Sequence, residues 1–246
     1  MSDNPGDNTL YRFFWRVGAP FRYRLAGAEQ LQNAGPAIYI PNHLGALGPV
    51  MSVLSIPVHL YPWVVEDMLD RRLAPQYLYD DFIHRAWHLG GRLGMAVATA
   101  LSRISVPLLN GLGSVPVNYD PLRSLPSFRR SLPLLMAGKS LLIFPEDNKT
   151  PEDPETGIRL FRCGFIGLCS MYERATGRRL PIYPLAVHKG RKTIAIGQPL
   201  FYESNDEHHV HLRRTCKQLH ESVRQMYLAL EAGETPVSGG APGIGA

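Results

Sequence analysis

The chain has 246 residues, of which 45% are hydrophobic, and it carries a formal net charge of +5 at pH 7. This apolar content is enough for one domain with a sizeable core, and the basic charge favours an anionic partner. The sequence shows no helix-turn-helix cue, no RNP-like aromatic motif and no dense Lys/Arg tract, so nucleic acid is not expected as a partner. No stretch supplies about 18 uninterrupted apolar residues, and a membrane-spanning helix is not expected.

Residues 1–24 are predicted to form an N-terminal amphipathic or interfacial segment. Apolar residues recur there at helical spacing, at Leu10, Phe13, Phe14 and Val17. Arg12 and Arg16 lie on a different face. This composition is typical of a helix that lies at a membrane surface, and an ordinary amphipathic helix packed on the core accounts for it equally well.

A histidine follows the first predicted strand. Residues 37–40 are an unbroken apolar run, and Pro41, Gly45 and Pro49 interrupt any regular element after it. His43 therefore lies just past a strand end, where open α/β sheets bind ligands, and a neutral imidazole there can accept a proton near pH 7. For a lone Asn-His pair, a loop histidine bonded to its own backbone is the more frequent situation.

The rest of the chain alternates between predicted strands and helices. Strands are predicted over residues 58–65, 140–144, 180–187 and 193–197. Helices are predicted over residues 82–108, 124–137 and 161–174, followed by a last helix that opens with a Ser204/Glu207 capping box. We interpret the apolar stripe of the 82–108 helix as core-facing. A second polar cluster, residues 145–150, follows the strand at 140–144, and residues 233–246 are predicted to be disordered.

The cysteines and histidines do not form a recognisable metal motif. Cys163, Cys169 and Cys216 are an odd number without CxxC spacing, and we interpret them as reduced, buried thiols of a cytoplasmic protein. Three histidines near acidic residues open the last helix, where a solvated face is expected, at His208, His209 and His211. The sequence has no HExxH, P-loop or G-x-S-x-G motif, so we expect no metal site.

Four short motifs occur in an informative order. They are Asn42-His43 with Gly48-Pro49, Gly113-x-x-Pro116-Val117, Phe144-Pro145-Glu146, and Leu180-Pro181-Ile182-Tyr183-Pro184. Their order and spacing, over roughly residues 25–230, resemble the four successive blocks of the glycerolipid (lysophospholipid) acyltransferase superfamily, which includes 1-acylglycerol-3-phosphate acyltransferases.

The resemblance implies an α/β fold, with a single layered domain over residues 25–232 and a mixed, mostly parallel sheet flanked by helices. It implies an enzyme that transfers a fatty acyl group from an acyl thioester, acyl-CoA or acyl carrier protein, to a hydroxyl of a lipid-like acceptor without a cofactor. It also implies a cytoplasmic protein that is bound peripherally to the inner face of the membrane.

Individual residues acquire roles from this resemblance. His43 is implied as the general base that takes the acceptor's proton, and the third block, with Glu146, is implied to place the acceptor. The further substrate-binding candidates are Asn42, Gly113, Tyr119, Arg123, Phe144, Pro145, Lys149 and Pro181.

Three positions depart from the family's pattern. Gly48 stands where the first block has an aspartate, a group that in comparable sites fixes the tautomer of the histidine. Tyr119 stands where the second block ends in an arginine, with Arg123 nearby as a substitute. In the third block, Asp147 replaces a glycine and Lys149 replaces an arginine.

Two hypotheses account for these departures. In the first, the enzyme is active, and Asp147 or Glu146 approaches His43 as a relocated carboxylate partner. In the second, the chain is a lipid- or acyl-binding relative with impaired catalysis. Because His43 and Glu146 are both retained, we favour the enzyme.

Overall fold

The structure is a computed structural model that describes residues 9–31, 35–45, 47–84, 88–118, 125–203 and 208–234. The predicted capping box at Ser204 and most of the predicted disordered tail lie outside these residues. The chain divides into two compact units. We call residues 1–17 and 61–130 the helical unit, and residues 18–60 and 131–246 the sheet unit. One domain over residues 25–232 stays a prediction.

The strands in chain order are β1 Arg24–Ala26, β2 Ile38–Pro41, β3 Leu60–Val65, β4 Val115–Val117, β5 Ser140–Leu142, β6 Pro181–His188, β7 Thr193–Ile196 and β8 Leu200–Phe201. The α-helices are α1 Thr9–Val17, α2 Leu47–Ser55, α3 Ala74–Leu78, α4 Gly91–Gly111, α5 Leu125–Met136, α6 Gly167–Thr176 and α7 His208–Ala232. A π-helical segment, Tyr79–Ile83, follows α3.

The sheet unit is built around β2. In this unit the strand order is β1-β7-β6-β2-β5, and β8 pairs with β6. Strand β2 is parallel to both of its neighbours, β5 and β6, and β1 is parallel to β7. Strands β7 and β8 run antiparallel to β6. All four residues of β2 are buried, which explains why its sequence is a continuous apolar run without alternation.

Helices cover this sheet. Residues of α2 join a buried apolar cluster with side chains from β2, β5, β6 and β7, including Tyr39, Met51, Leu142, Leu185 and Ile194. Helix α7 packs on β6 and β7, where a Cβ on Gly197 would meet Met226 and Pro184. The predicted α/β class, with a mixed, mostly parallel sheet flanked by helices, is confirmed.

In the helical unit, β3 pairs in parallel with β4, and α4 packs against α3 and α1. The prediction that the apolar stripe of the 82–108 helix faces the core is wrong for Leu93 and Ile104, although Val97 of that stripe packs against a buried cluster. A stripe of smaller residues is buried, namely Gly94, Ala98, Ser102 and Val106, whereas Leu93 and Ile104 are 65% and 63% exposed. A Cβ on Gly94 would lie 2.8 Å from the Tyr79 ring, so close packing selects small residues for the inner face.

Helix α4 also has the length and composition of a helix that could cross a membrane, a test that core helices of soluble proteins pass as well. The sequence does not reveal this property as an uninterrupted apolar run, because polar residues such as Arg92 and Arg103 interrupt the helix. Only 22% of its most apolar window is buried in the structure.

The interpretation of all three cysteines as reduced thiols is also wrong. Cys163 and Cys216 form a disulfide, with Cα atoms 5.5 Å apart, and Cys169 is free and buried. The two bonded cysteines are separated by 53 positions in the sequence, and it is the packing of α7 beside the segment before α6 that brings them together. Their lack of CxxC spacing therefore carried no information about this bond.

Candidate functional site

The loop after β2 is joined to β6 by Asn42, whose side chain is 1% exposed. Its Oδ1 accepts a hydrogen bond from the Val187 N–H at 2.7 Å, and its Nδ2 donates to the Val187 carbonyl at 3.1 Å. The side-chain amide thus imitates a further backbone pair between the two parallel strands. The structure places this predicted substrate-binding residue in the scaffold, where it fixes the start of the loop.

His43 comes directly after this anchor and is half-buried. Its backbone N–H donates to Oε1 of Glu146 at 2.6 Å. Its ring meets that of Phe144 edge to face, with centroids 5.1 Å apart. Leu44 and Gly45 then adopt positive φ angles of 43° and 60°, which turn the chain from β2 into α2. The imidazole therefore lies at the carboxyl end of β2, beside the residues that follow β5.

The carboxylate of Glu146 connects two loops. While Oε1 accepts from His43, Oε2 accepts from the Arg159 N–H at 3.1 Å. Burial raises the pKa of Glu146, and the two N–H donors oppose that rise because they stabilise the charged form. The predicted catalytic carboxylate is thus brought to His43, and the contact it makes is with the main chain.

Asp147 has different partners. Its Oδ1 accepts from the Arg162 guanidinium at 2.6 Å and from the Lys149 N–H at 3.0 Å. The hydrogen bond from Arg162 lowers the pKa of Asp147. Lys149 is exposed in the turn that this carboxylate closes. These contacts direct the Asp147 side chain to Arg162 and to its own turn.

Arg159 and Arg162 were not among the residues predicted to form the site. The backbone N–H of Arg162 also donates to the Pro145 carbonyl at 2.7 Å, which holds the buried Pro145 in place. A usable signal was present in the sequence, because acidic residues at 146–155 are followed by arginines at 159 and 162, a charge order that favours ion pairs across a turn.

At position 48, where the resemblance predicts an aspartate, the neighbouring backbone leaves no space for a side chain. Gly48 is buried in the first turn of α2. A Cβ there would overlap the His43 carbonyl oxygen and would lie 2.8 Å from that of Asn42. A carboxylate side chain at this position does not fit the present course of the backbone.

The remaining predicted residues belong to other elements. Pro181 begins β6 opposite Phe201 of β8. Gly113 belongs to the helical unit, where its φ is 74° and a Cβ would meet the Tyr61 ring at 2.9 Å, so both the backbone and the packing require glycine. Tyr119 and Arg123 lie outside the described residues. The structure therefore assembles residues 42, 43 and 144–147 with Arg159 and Arg162.

No protein-family model and no curated protein sequence matches the chain. Among solved structures it is similar to the crystal structure of the 1-acyl-sn-glycerophosphate (LPA) acyltransferase PlsC from Thermotoga maritima, with a TM-score of 0.53 and 14% sequence identity. The similarity covers 94% of this chain and 85% of that chain. At this level of identity it shows that the two proteins share a fold.

Proposed function

We propose that the chain is an acyltransferase that moves a fatty acyl group from an acyl thioester to a hydroxyl of a lipid-like acceptor, with His43 as the general base. The observation that carries this proposal is the position of His43. A half-buried imidazole lies at the carboxyl end of β2, held through its main chain by Glu146, in a chain that shares the fold of an LPA acyltransferase.

In the proposed reaction, a ring nitrogen of His43 accepts the proton of the acceptor hydroxyl as its oxygen attacks the thioester carbonyl carbon. The new C–O bond gives a tetrahedral intermediate. When this intermediate collapses, the C–S bond breaks, and the leaving thiolate takes the proton from the imidazolium. The products are the acylated acceptor and the free thiol, and the reaction forms no acyl-enzyme and uses no cofactor.

The orientation of the imidazole needs a source other than position 48. We propose that the hydrogen bond between the His43 main chain and Glu146 and the edge contact with Phe144 set it together. The hypothesis that Asp147 is a relocated partner requires this carboxylate to exchange Arg162 for His43. Acyl transfer by Asp147→Asn at the wild-type rate would remove Asp147 from the catalytic group.

The donor is proposed to be acyl-CoA or acyl carrier protein, and the protein is proposed to act in the cytoplasm at the inner face of the membrane. Two exposed apolar residues of α1 support the interfacial role of the N-terminal segment, since Phe13 is 59% and Val17 is 57% exposed.

A product assay tests the proposal. The purified full chain is incubated with acyl-CoA or acyl carrier protein and a mixed lipid extract, thiol release is followed, and the lipids are analysed by mass spectrometry. Acyl transfer predicts one acylated lipid for each thiol released. Thiol release without acylated lipid would mean hydrolysis and would contradict the proposal.

The closed position 48 favours one alternative, a relative that binds acyl or lipid ligands with impaired catalysis. In the same assay, this alternative predicts neither thiol release nor acylated lipid, with acyl-CoA binding retained in equilibrium dialysis.

A further inference from the structure

The helical unit contains a basic cavity that the proposed reaction does not use. It has a volume of about 450 Å³ and lies between the segment that leads into α3 and the middle of α4. Five residues line it, namely Arg71, Pro75, Thr99, Ser102 and Arg103.

Two arginines give this cavity its positive charge. Arg71 and Arg103 are both exposed, and in the part of the chain that the structure describes neither guanidinium pairs with a carboxylate. The neighbouring Asp70 instead accepts the Arg72 N–H. Two guanidiniums from different elements that face one space present several N–H donors, an arrangement suited to a phosphate group.

The hydroxyls of the cavity are already engaged. Thr99 donates to the Met95 carbonyl and Ser102 donates to the Thr99 carbonyl, both at 2.8 Å. A bound anion would therefore receive its hydrogen bonds chiefly from the two arginines.

Apolar residues next to the lining residues are exposed. Leu73 lies between Arg71 and Pro75 in the sequence and is 50% exposed. On α4, Leu101 and Ile104 lie on either side of Ser102 and Arg103 in the sequence, and they are 36% and 63% exposed. A soluble phosphate compound would leave this apolar surface in water. A phospholipid matches both features, with its phosphate at the guanidiniums and its acyl region at the leucine and isoleucine side chains.

We infer that the Arg71–Arg103 cavity binds the phosphate headgroup of an anionic phospholipid, with α4 lying in the plane of the membrane interface. The helix is packed against α3 through its inner stripe and carries Arg92 and Arg103, features of a helix that lies in the interface and does not cross the bilayer. This inference concerns binding, so its test is independent of acyl transfer.

The test is sedimentation of the full chain with phosphatidylcholine vesicles and with vesicles that contain about one-third phosphatidylglycerol. Arg71→Gln with Arg103→Gln removes the two charges of the cavity. Arg213→Gln with Arg214→Gln is the matched control, because both arginines are exposed on α7 and form no ion pair among the described residues. Circular dichroism verifies that each variant is folded.

The wild-type protein is expected to sediment with the anionic vesicles and not with the neutral ones. The cavity variant is expected to partition about 30-fold more weakly, since each arginine near an anionic surface contributes roughly 1 kcal/mol. The control pair is expected to change partitioning less than about threefold, because screening weakens distant charges. Ile104→Gln should weaken binding several-fold, whereas Val210→Gln, at a residue 62% exposed on α7, should not.

Three results would overturn the inference. The cavity variant and the control pair could lose binding equally, which would indicate net charge and no defined site. Neutral vesicles could bind as well as anionic ones. The protein could fail to bind vesicles but bind millimolar inorganic phosphate in a manner that depends on Arg71 and Arg103, which would indicate a soluble phosphate ligand.

Discussion

The backbone N–H of His43 donates a hydrogen bond to Oε1 of Glu146 at 2.6 Å, across 103 positions of sequence. The carboxylate also accepts from Arg159, so one side chain fixes the loop after β2 to the segment that follows β5. If His43 is the base, as we propose, this arrangement assigns Glu146 to positioning it, without contact with the acceptor.

Glu146→Gln should lower kcat about 10- to 100-fold and change KM less than about twofold, because a small displacement of a catalytic group is costly. Glutamine keeps one oxygen acceptor and presents an NH2 group to the other backbone donor. Glu152→Gln is the control, since Glu152 is 60% exposed and pairs with Arg159 in the same loop. A tenfold rise in KM at constant kcat would show that Glu146 binds the acceptor, against this account.

Gly48→Ala should destabilise the protein by about 1–3 kcal/mol, because the new methyl group meets two carbonyl oxygens. Gly48→Asp should be less stable still and should not raise activity. Thermal unfolding measures the effect, and Gly164→Ala is the control because a Cβ there would meet nothing within 4 Å. A Gly48→Asp variant with wild-type stability and faster acyl transfer would contradict the claim that the backbone leaves no space for a side chain at position 48.

Asn42→Asp should lower the free energy of unfolding by about 2–4 kcal/mol at neutral pH, because a buried carboxylate oxygen would face the Val187 carbonyl. The difference in the free energy of unfolding from the wild type should become smaller as the pH falls, because a protonated aspartic acid at position 42 can donate a hydrogen bond to the Val187 carbonyl. Urea denaturation at several pH values tests both statements, with Asn148→Asp at an exposed position as the control. Equal unfolding midpoints for Asn42→Asp and wild type would contradict the buried amide pair.

The disulfide determines how many thiols should react with a thiol reagent. Denatured, unreduced protein should react as one thiol per chain, and reduced protein as three. In the native protein Cys169 should react slowly, because burial raises its pKa to about 12. Cys216→Ala should lower the free energy of unfolding by about 4 kcal/mol under oxidising conditions, because the unfolded chain is then no longer constrained by the loop between the two cysteines. Three thiols without reductant would contradict the bond.

Several helices and strands could be predicted because apolar runs and turn residues mark them locally. The predicted helix at 124–137 coincides with α5, Leu125–Met136, and the predicted strand at 180–187 nearly coincides with β6. The order of motifs likewise indicated that Glu146 approaches His43, and the two residues are hydrogen-bonded. These features depend on residues that are close in sequence or on their order along the chain.

Features that depend on contacts between distant segments could not be predicted. The composition of α4 does not show which face packs on α3, because a core stripe of small residues is less apolar than the exposed face. The pairing of Cys163 with Cys216 and the closure of the backbone around Gly48 arise only after the chain folds. The pairing of Asn42 with Val187 was not predicted for the same reason, since the two residues are 145 positions apart.

The most direct test of the account is the initial rate of acyl transfer by His43→Ala and His43→Gln, with thiol release and acylated product measured together. His84→Gln is the matched control, because His84 is exposed and its ring lies tilted against that of Tyr79 in the helical unit. The account predicts a loss of about 10²- to 10⁴-fold in both His43 variants and a wild-type rate in the control. Acyl transfer by His43→Ala within about twofold of wild type would contradict the assignment of His43 as the base.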